Sequence, residues 1–451
     1  MNNHRHLSAR SRRLFLQVGL PWSAALLVGL VSVLYADGSA AASNAFLGWI
    51  SGRSWLAFVI TPAVTVLGLL LTRRWFTGSE GSGIPQVIAA LHAPRPEQER
   101  TLMRRLFGLR VIVGKIAVSL IGLMGGLTIG REGPTVHIGA AIMAETRRFY
   151  PHRSAQLERR LLLAGAAAGL SAAFNTPLAG IIFAIEELAR DFESRTNGIM
   201  ITAVVFSGLT SLALAGNYLY FGQIGVPGNL RAVFALPVAA SAVLCGLGGA
   251  AFNLTLLRWR TWMPRWLVTL RSHRPLLYAM GIGIAVAALG VCTNGETWGS
   301  GYDQAHRLLT GAAPLSQGYA LTKWCAMVVT YMAGIPGGLF SPSLSIGAGL
   351  AQWVHAAFAW APMPALIALC MTGYLAAVTQ SPITSFVIVM EMTNGTSMVI
   401  PMMATALAAS RISAFFTPPL YDALAKSNYY EIAKLPPGDF LQKKPVPPPG
   451  A

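Results

Sequence analysis

Three stretches of this chain occur twice, in the same order and at nearly constant spacing. Gly81-Ser82-Gly83, followed by Gln86, returns as Gly299-Ser300-Gly301, followed by Gln304, at an offset of 218 residues. GREGPTVHIGA, starting at Gly130, returns as GLFSPSLSIGA, starting at Gly338, at an offset of 208. A hairpin of small apolar residues carrying Pro177 and Glu186 returns with Pro382 and Glu391, both at an offset of 205. Recurrence on this scale predicts two related halves of one architecture. The expected division is a cytoplasmic N-terminal segment at 1–13, a first repeat at 14–227, a second at 228–425 and a cytoplasmic tail at 426–451.

The solvent of those halves follows from composition. The chain is 54% hydrophobic and 11% charged, with a mean hydropathy of +0.53, whereas soluble domains carry about 25% charged residues. The apolar runs have helical length and do not alternate, so the expected class is an all-α polytopic membrane protein and a β-barrel is excluded. Lys and Arg cluster at 5–13, 73–74, 95–110, 147–160 and 258–274, and are absent from 36–50, 216–228 and 349–364. This is the positive-inside pattern. The net charge of +17 therefore reports orientation in the bilayer, not nucleic-acid binding, and leaves a mild attraction for anions. The apolar run at 14–35 is longer than a signal-peptide core and many spans follow it, so it reads as an uncleaved first membrane helix. Cys245, Cys292, Cys325 and Cys370 stand singly in apolar segments and read as buried, inert thiols.

Within this background Gly130-Arg131-Glu132-Gly133-Pro134 stands out, because ionisable residues at membrane depth are expensive and usually functional. Pro134 suits the first turn of a helix over 135–143. A helix start inside an apolar region presents free N–H groups to an anion. Four Gly- or Pro-rich breaks precede helix starts in this way, at 82–85, 131–134, 339–342 and 418–421. Hydroxyls at Ser82 and Tyr421 would add neutral donors. Taken alone, Ser82 reads equally as a turn-forming serine and Tyr421 as an interfacial aromatic. Dipoles and hydroxyls together suit a small monovalent anion that must leave again. An odd number of crossings between the halves would invert the second, giving two inverted repeats whose broken, re-entrant helices meet at a midplane anion site.

GSGIP, GREGP and GLFSP, in this order and within two such halves, resemble the CLC family of chloride channels and proton-coupled chloride antiporters. The resemblance runs from the first span to Tyr421. It implies that Ser82 and Tyr421 hold a central chloride and that Leu339 and Phe340 contribute backbone N–H groups. Arg131 and Gly133, at the GREGP helix start, would line an outer chloride site. Glu132 would be the external gating glutamate, filling an anion position when ionised and swinging away when protonated. Glu187 follows the glutamate matched by Glu186, at a position acidic in many antiporters and apolar in channels, and so resembles the internal proton-transfer residue. Ser82 favours chloride, since nitrate-preferring members carry proline there and the fluoride branch departs from GSGIP and GREGP. Gln86 stands where glutamate is common. The family further implies a homodimer through the small-residue hairpins at 164–187 and 369–391, each subunit keeping its own pore, and a compact prokaryotic-type member in a bacterial inner membrane. Chloride and protons are then the transported ions, with no cofactor.

Other classes fit poorly. No HExxH, GxSxG or His/Cys metal cluster is present, so neither an enzyme nor a metal site is expected. Residues 108–115 form a spoiled Walker-like run with one residue too many and Ile116 where Ser or Thr is needed. His137 reads as packing or polar lining. A sodium-coupled carrier of organic solutes would show larger polar groups, and a passive channel of the same fold is disfavoured by Glu187. Finally, the glycine and proline frame is common to both halves, but Arg131 and Glu132 occur in only one. Glu132 is thus an addition to an anion-binding frame.

Overall fold

The computed structural model describes residues 18–93, 96–151, 154–189, 198–216, 219–222, 234–312 and 314–430. Among these the secondary structure is helical, with β-type pairing limited to two isolated bridges. The first half comprises α1 (Leu20–Ile50), α2 (Ala57–Arg74), α3 (Ile84–Leu91), α4 (Pro96–Leu106), α5 (Leu109–Met124), α6 (Glu132–Glu145), α7 (Ala155–Phe174), α8 (Pro177–Phe183) and α9 (Gly198–Ala215). The second comprises α10 (Ala235–Trp262), α11 (Arg265–His273), α12 (Pro275–Cys292), α13 (Tyr302–Thr310), α14 (Tyr319–Met332), α15 (Phe340–Ala357), α16 (Met363–Thr379), α17 (Pro382–Thr393), α18 (Val399–Phe416) and α19 (Leu420–Ala425). Helix starts match across the halves: α3 with α13, α6 with α15, α7 with α16, α8 with α17.

Six helical stretches among the described residues are long and apolar enough to cross a membrane: Leu20–Ile50, Ser54–Arg74, Gly198–Ala215, Ala235–Trp262, Pro275–Cys292 and Thr396–Phe416. Three come from each half. The chain is a multi-pass integral membrane protein. Several of the helices between these spans are shorter. At 14 residues, α6 extends only about 21 Å, against about 30 Å of hydrocarbon. Such a helix ends at membrane depth, where its terminal N–H groups need protein or an ion as partner.

The breaks follow local chemistry. α7 ends where Asn175 takes a left-handed conformation (φ 56°), and Pro177 then opens α8. α16 ends the same way at Gln380 (φ 60°), before Pro382 opens α17. Proline lacks the N–H that a first turn leaves unpaired, so each hairpin is broken without losing a hydrogen bond. α8 then widens into a π-helical turn over Ala184–Ala189. Small residues let the helices touch: a methyl group on Gly139 of α6 would overlap the Gly165 carbonyl of α7. Gly347 of α15 meets Cys370 and Met371 of α16 in the same manner.

Three expectations are corrected. The first membrane helix does not end with the apolar run at 14–35: α1 continues to Ile50. Half of 349–364 is likewise the end of α15. The many alanines of 36–50 and 349–364 are compatible with helix, and the missing Lys and Arg reflect composition within the helix. The helix of the GREGP stretch starts at Glu132, not at 135. Of the cysteines only Cys245 and Cys370 are buried, since Cys325 is half-buried and Cys292 lies on the exposed face of α12. The boundary at 227/228, the segment 1–13 and most of the tail lie outside the described residues.

Candidate anion site

The site is built where the two halves touch through glycine backbone. Gly130 and Gly338 exchange two hydrogen bonds of 2.8 Å, each donating its N–H to the other's carbonyl. Gly81 donates to the Ile335 carbonyl (3.3 Å) and accepts from the Gly337 N–H (3.2 Å). These bridges set the starts of α3, α6 and α15 side by side. Glycine is required at Gly83 on two counts: its φ is +107°, and an added Cβ would strike His137 and the Gly133 carbonyl. His137 is itself a packing residue, with Nε2 2.8 Å from the Leu106 carbonyl and its ring edge-on to Phe107.

Ser82 precedes α3, and its hydroxyl lies against the α-carbon of Gly133, leaving no room for a side chain there. Tyr421 is the second residue of α19, behind Pro418-Pro419. Its ring is stacked on that of Phe340, with centroids 6.0 Å apart and planes 8° from parallel. Both hydroxyls are buried and approach each other, and neither meets a further hydrogen-bond partner among the described residues. Tyr421 lies within electrostatic reach of Ser82, Glu187 and Glu132. Buried polar groups are nearly always paired, and two converging hydroxyls can offer their protons to an anion. Leu339 and Phe340, both buried, are the N-cap and first residue of α15, whose first amides have no acceptor within the helix. The structure thus brings Ser82, Gly133, Leu339, Phe340 and Tyr421 together.

Glu132 opens α6 and is fully buried. Its carboxylate rests on the start of α15, the matching helix of the other half. The Ser341 hydroxyl donates to Oε1 at 2.5 Å, the Ser341 N–H to Oε2 at 3.3 Å, and the Tyr220 hydroxyl to Oε1 at 3.2 Å. Arg131 stays at the outer edge, its Nε 3.9 Å from Oε1 and its guanidinium 5.4 Å from the Tyr220 ring centre. A carboxylate on a helix start, with hydroxyl and amide donors, sits as an anion would. Glu187 is also buried, on the π-helical turn after α8, and accepts from the Ser381 hydroxyl. Tyr421 interacts with both carboxylates.

Five residues of this constellation were not singled out in the sequence. Ser341 lies within GLFSP, and Ser381 directly precedes Pro382, so both sat inside recognised motifs. Tyr220 lies in a turn-rich stretch that carries no such signal. Lys115 and Lys323 had one: they are 208 residues apart, the offset of the GREGP and GLFSP motifs. Lys115 donates to the carbonyls of Ser79 (2.8 Å), Glu80 (3.2 Å) and Gly81 (2.7 Å). Lys323 donates to Thr297 (2.9 Å), Trp298 (3.3 Å) and Gly299 (2.9 Å). Each fully buried ammonium ties down the loop before a Gly-Ser-Gly turn. The run read as a spoiled Walker sequence ends in this loop-holding lysine.

Residues 63–414 match the family model described as voltage gated chloride channel. The H(+)/Cl(-) exchange transporter ClcA of Salmonella agona (strain SL483) is 31% identical over 422 residues, covering 87% of this chain and 83% of that protein. The ClcA of Salmonella arizonae is 31% identical over 419 residues, with the same coverage. Among solved structures, a slow cyanobacterial Cl-/H+ antiporter superposes with a TM-score of 0.74 at 22% identity, over 90% of this chain and 97% of that one. A CLC-type fluoride/proton antiporter gives a TM-score of 0.73 at 20% identity, over 90% and 96%. Motifs, repeat architecture and relatives agree: this chain belongs to the voltage gated chloride channel family.

Proposed function

We propose that the protein exchanges chloride for protons across a bacterial inner membrane. The observation that carries this reading is the placement of the Glu132 carboxylate on the amide and hydroxyl donors at the start of α15. There it competes with an anion for the same donors. Protonation removes its charge and weakens its hold on the helix start, so proton binding and anion binding at this point exclude one another. Mutual exclusion at a shared site links two fluxes.

In this reading Ser82, Tyr421 and the first amides of α15 hold a central chloride, and Gly133 and Arg131 flank the outer position. Glu187, buried and bonded to the Ser381 hydroxyl, passes the proton on toward the cytoplasm by a route separate from the anion path. The antiport activity named for the ClcA relatives supports the same assignment. Chloride is favoured by the neutral donors Ser82 and Tyr421, which balance one negative charge without a buried cation. In the same reading the first repeat runs over 14–227 and the second over 228–425. Two copies associate through the exposed parts of the hairpins at 164–187 and 369–391, Leu178 among them; each copy keeps its own pore.

Proteoliposomes decide the matter. With an outward chloride gradient and no initial pH gradient, protons should move inward, against the gradient that builds up. Chloride flux with no proton movement at any pH would replace the exchanger with a passive channel.

A further inference from the structure

Tyr220 belongs to neither repeat motif, yet its hydroxyl points at the heart of the site. It is 3% exposed, and three aromatic rings fix it edge-on: Phe174 at 5.4 Å, Phe221 at 4.9 Å and Tyr302 at 4.8 Å. The neighbouring Phe221 N–H donates to the Met392 carbonyl at 3.0 Å, so the segment is tied to the end of α17. The ring therefore does not follow Glu132 if that side chain leaves. Ser341 is equally fixed, on the first turn of α15, and its Oγ lies 3.5 Å from the Tyr220 hydroxyl. Both hydroxyls donate to the same oxygen, Glu132 Oε1.

We propose that Tyr220 and Ser341 are anion-coordinating residues of the outer position. They hold the Glu132 carboxylate while it occupies that position and donate to the transported anion once it has left. The inference rests on the reading of Glu132 as the gate. Its physical basis is geometric: both hydroxyls converge on one oxygen of Glu132, and both turn about their C–O bonds to follow a new acceptor. When the carboxylate departs, two hydroxyls and the Ser341 N–H remain aimed at one point. Arg131 supplies positive potential at its edge. A monovalent anion is what those groups are arranged to accept.

The test is a cycle of variants in purified full-length protein, with chloride affinity measured by titration calorimetry and bromide located by anomalous scattering in crystals. Glu132→Ala must first fill the outer position with bromide; if it does not, the gate reading fails and this inference falls with it. In the Glu132→Ala background, adding Tyr220→Phe or Ser341→Ala should each weaken chloride binding about tenfold and empty the outer position. With Glu132 present, each should change chloride affinity less than twofold, because carboxylate and chloride lose the same donor. Equal weakening in both backgrounds would mean the hydroxyls only support the fold. Tighter chloride binding with Glu132 present, and no change without it, would mean they serve the carboxylate alone. Either result overturns the proposal. Tyr220→Phe keeps the ring and its packing, so the test survives a poorly folding Ser341 variant.

Discussion

Glu186 and Glu391 cap each other's half of the molecule. Glu186 accepts the Ile383 and Thr384 N–H groups at the start of α17, at 3.0 and 2.6 Å. Glu391 accepts the Leu178 and Ala179 N–H groups at the start of α8, at 3.1 and 2.7 Å. Every partner in one set is 205 residues from its counterpart in the other. Reciprocal contacts of this kind are the signature of a two-fold relation between the repeats. Each carboxylate also meets the positive end of a helix dipole.

Removing one cap should therefore cost stability. Glu391→Ala leaves two amide donors of α8 without their charged acceptor, a loss of about 2–4 kcal/mol. Glu391→Gln keeps one neutral acceptor and should fall between Ala and the parent. Thermal inactivation half-lives in detergent measure the order, and equal half-lives for all three proteins would refute the cap.

Glu132→Gln removes the charge that competes with the anion. Chloride permeation through proteoliposomes should persist, while uphill proton movement disappears. A variant that still pumps protons at the parental rate would take Glu132 out of the coupling.

Glu187→Gln acts on the other limb. It leaves the anion donors Ser82 and Tyr421 untouched and keeps an acceptor for the Ser381 hydroxyl. Chloride flux should stay within a few-fold of the parent, and proton flux should fall by at least tenfold. Retained coupling would make Glu187 a structural carboxylate.

The two loop lysines give a paired prediction. Lys115→Met and Lys323→Met each leave three carbonyl acceptors without a buried cation, and each should destabilise by about 3–5 kcal/mol. Only the first holds the loop that presents Ser82. Lys115→Met should thus also weaken chloride binding, measured calorimetrically, more than Lys323→Met does. Similar affinities in the two variants would separate Lys115 from the anion site.

The hydroxyls of Ser82 and Tyr421 can be tested one at a time. Ser82→Ala and Tyr421→Phe each delete one neutral donor with little change in shape. Each should weaken chloride binding by about tenfold, read by calorimetry, and binding unchanged in both would move the central anion elsewhere.

What the sequence determined here is whatever is local or repeated. Apolar runs of helical length required a bundle of membrane helices, because lipid offers no partner to a backbone N–H. Glycine and proline at matching offsets required the breaks, because those residues decide where a helix can begin. Glu132 stood out because a carboxylate in such a frame is too costly to be incidental. Only the tertiary structure decided which donors that carboxylate meets. Ser341 is 209 residues away along the chain and Tyr220 is 88, and no periodicity encodes such pairings. The extension of α1 to Ile50 was hidden for a related reason: a helix of Ala, Ser and Gly is fixed by what packs against it, not by its own hydropathy. The crossed caps of Glu186 and Glu391 arise where the two repeats meet, and a sequence read in one direction does not display that meeting.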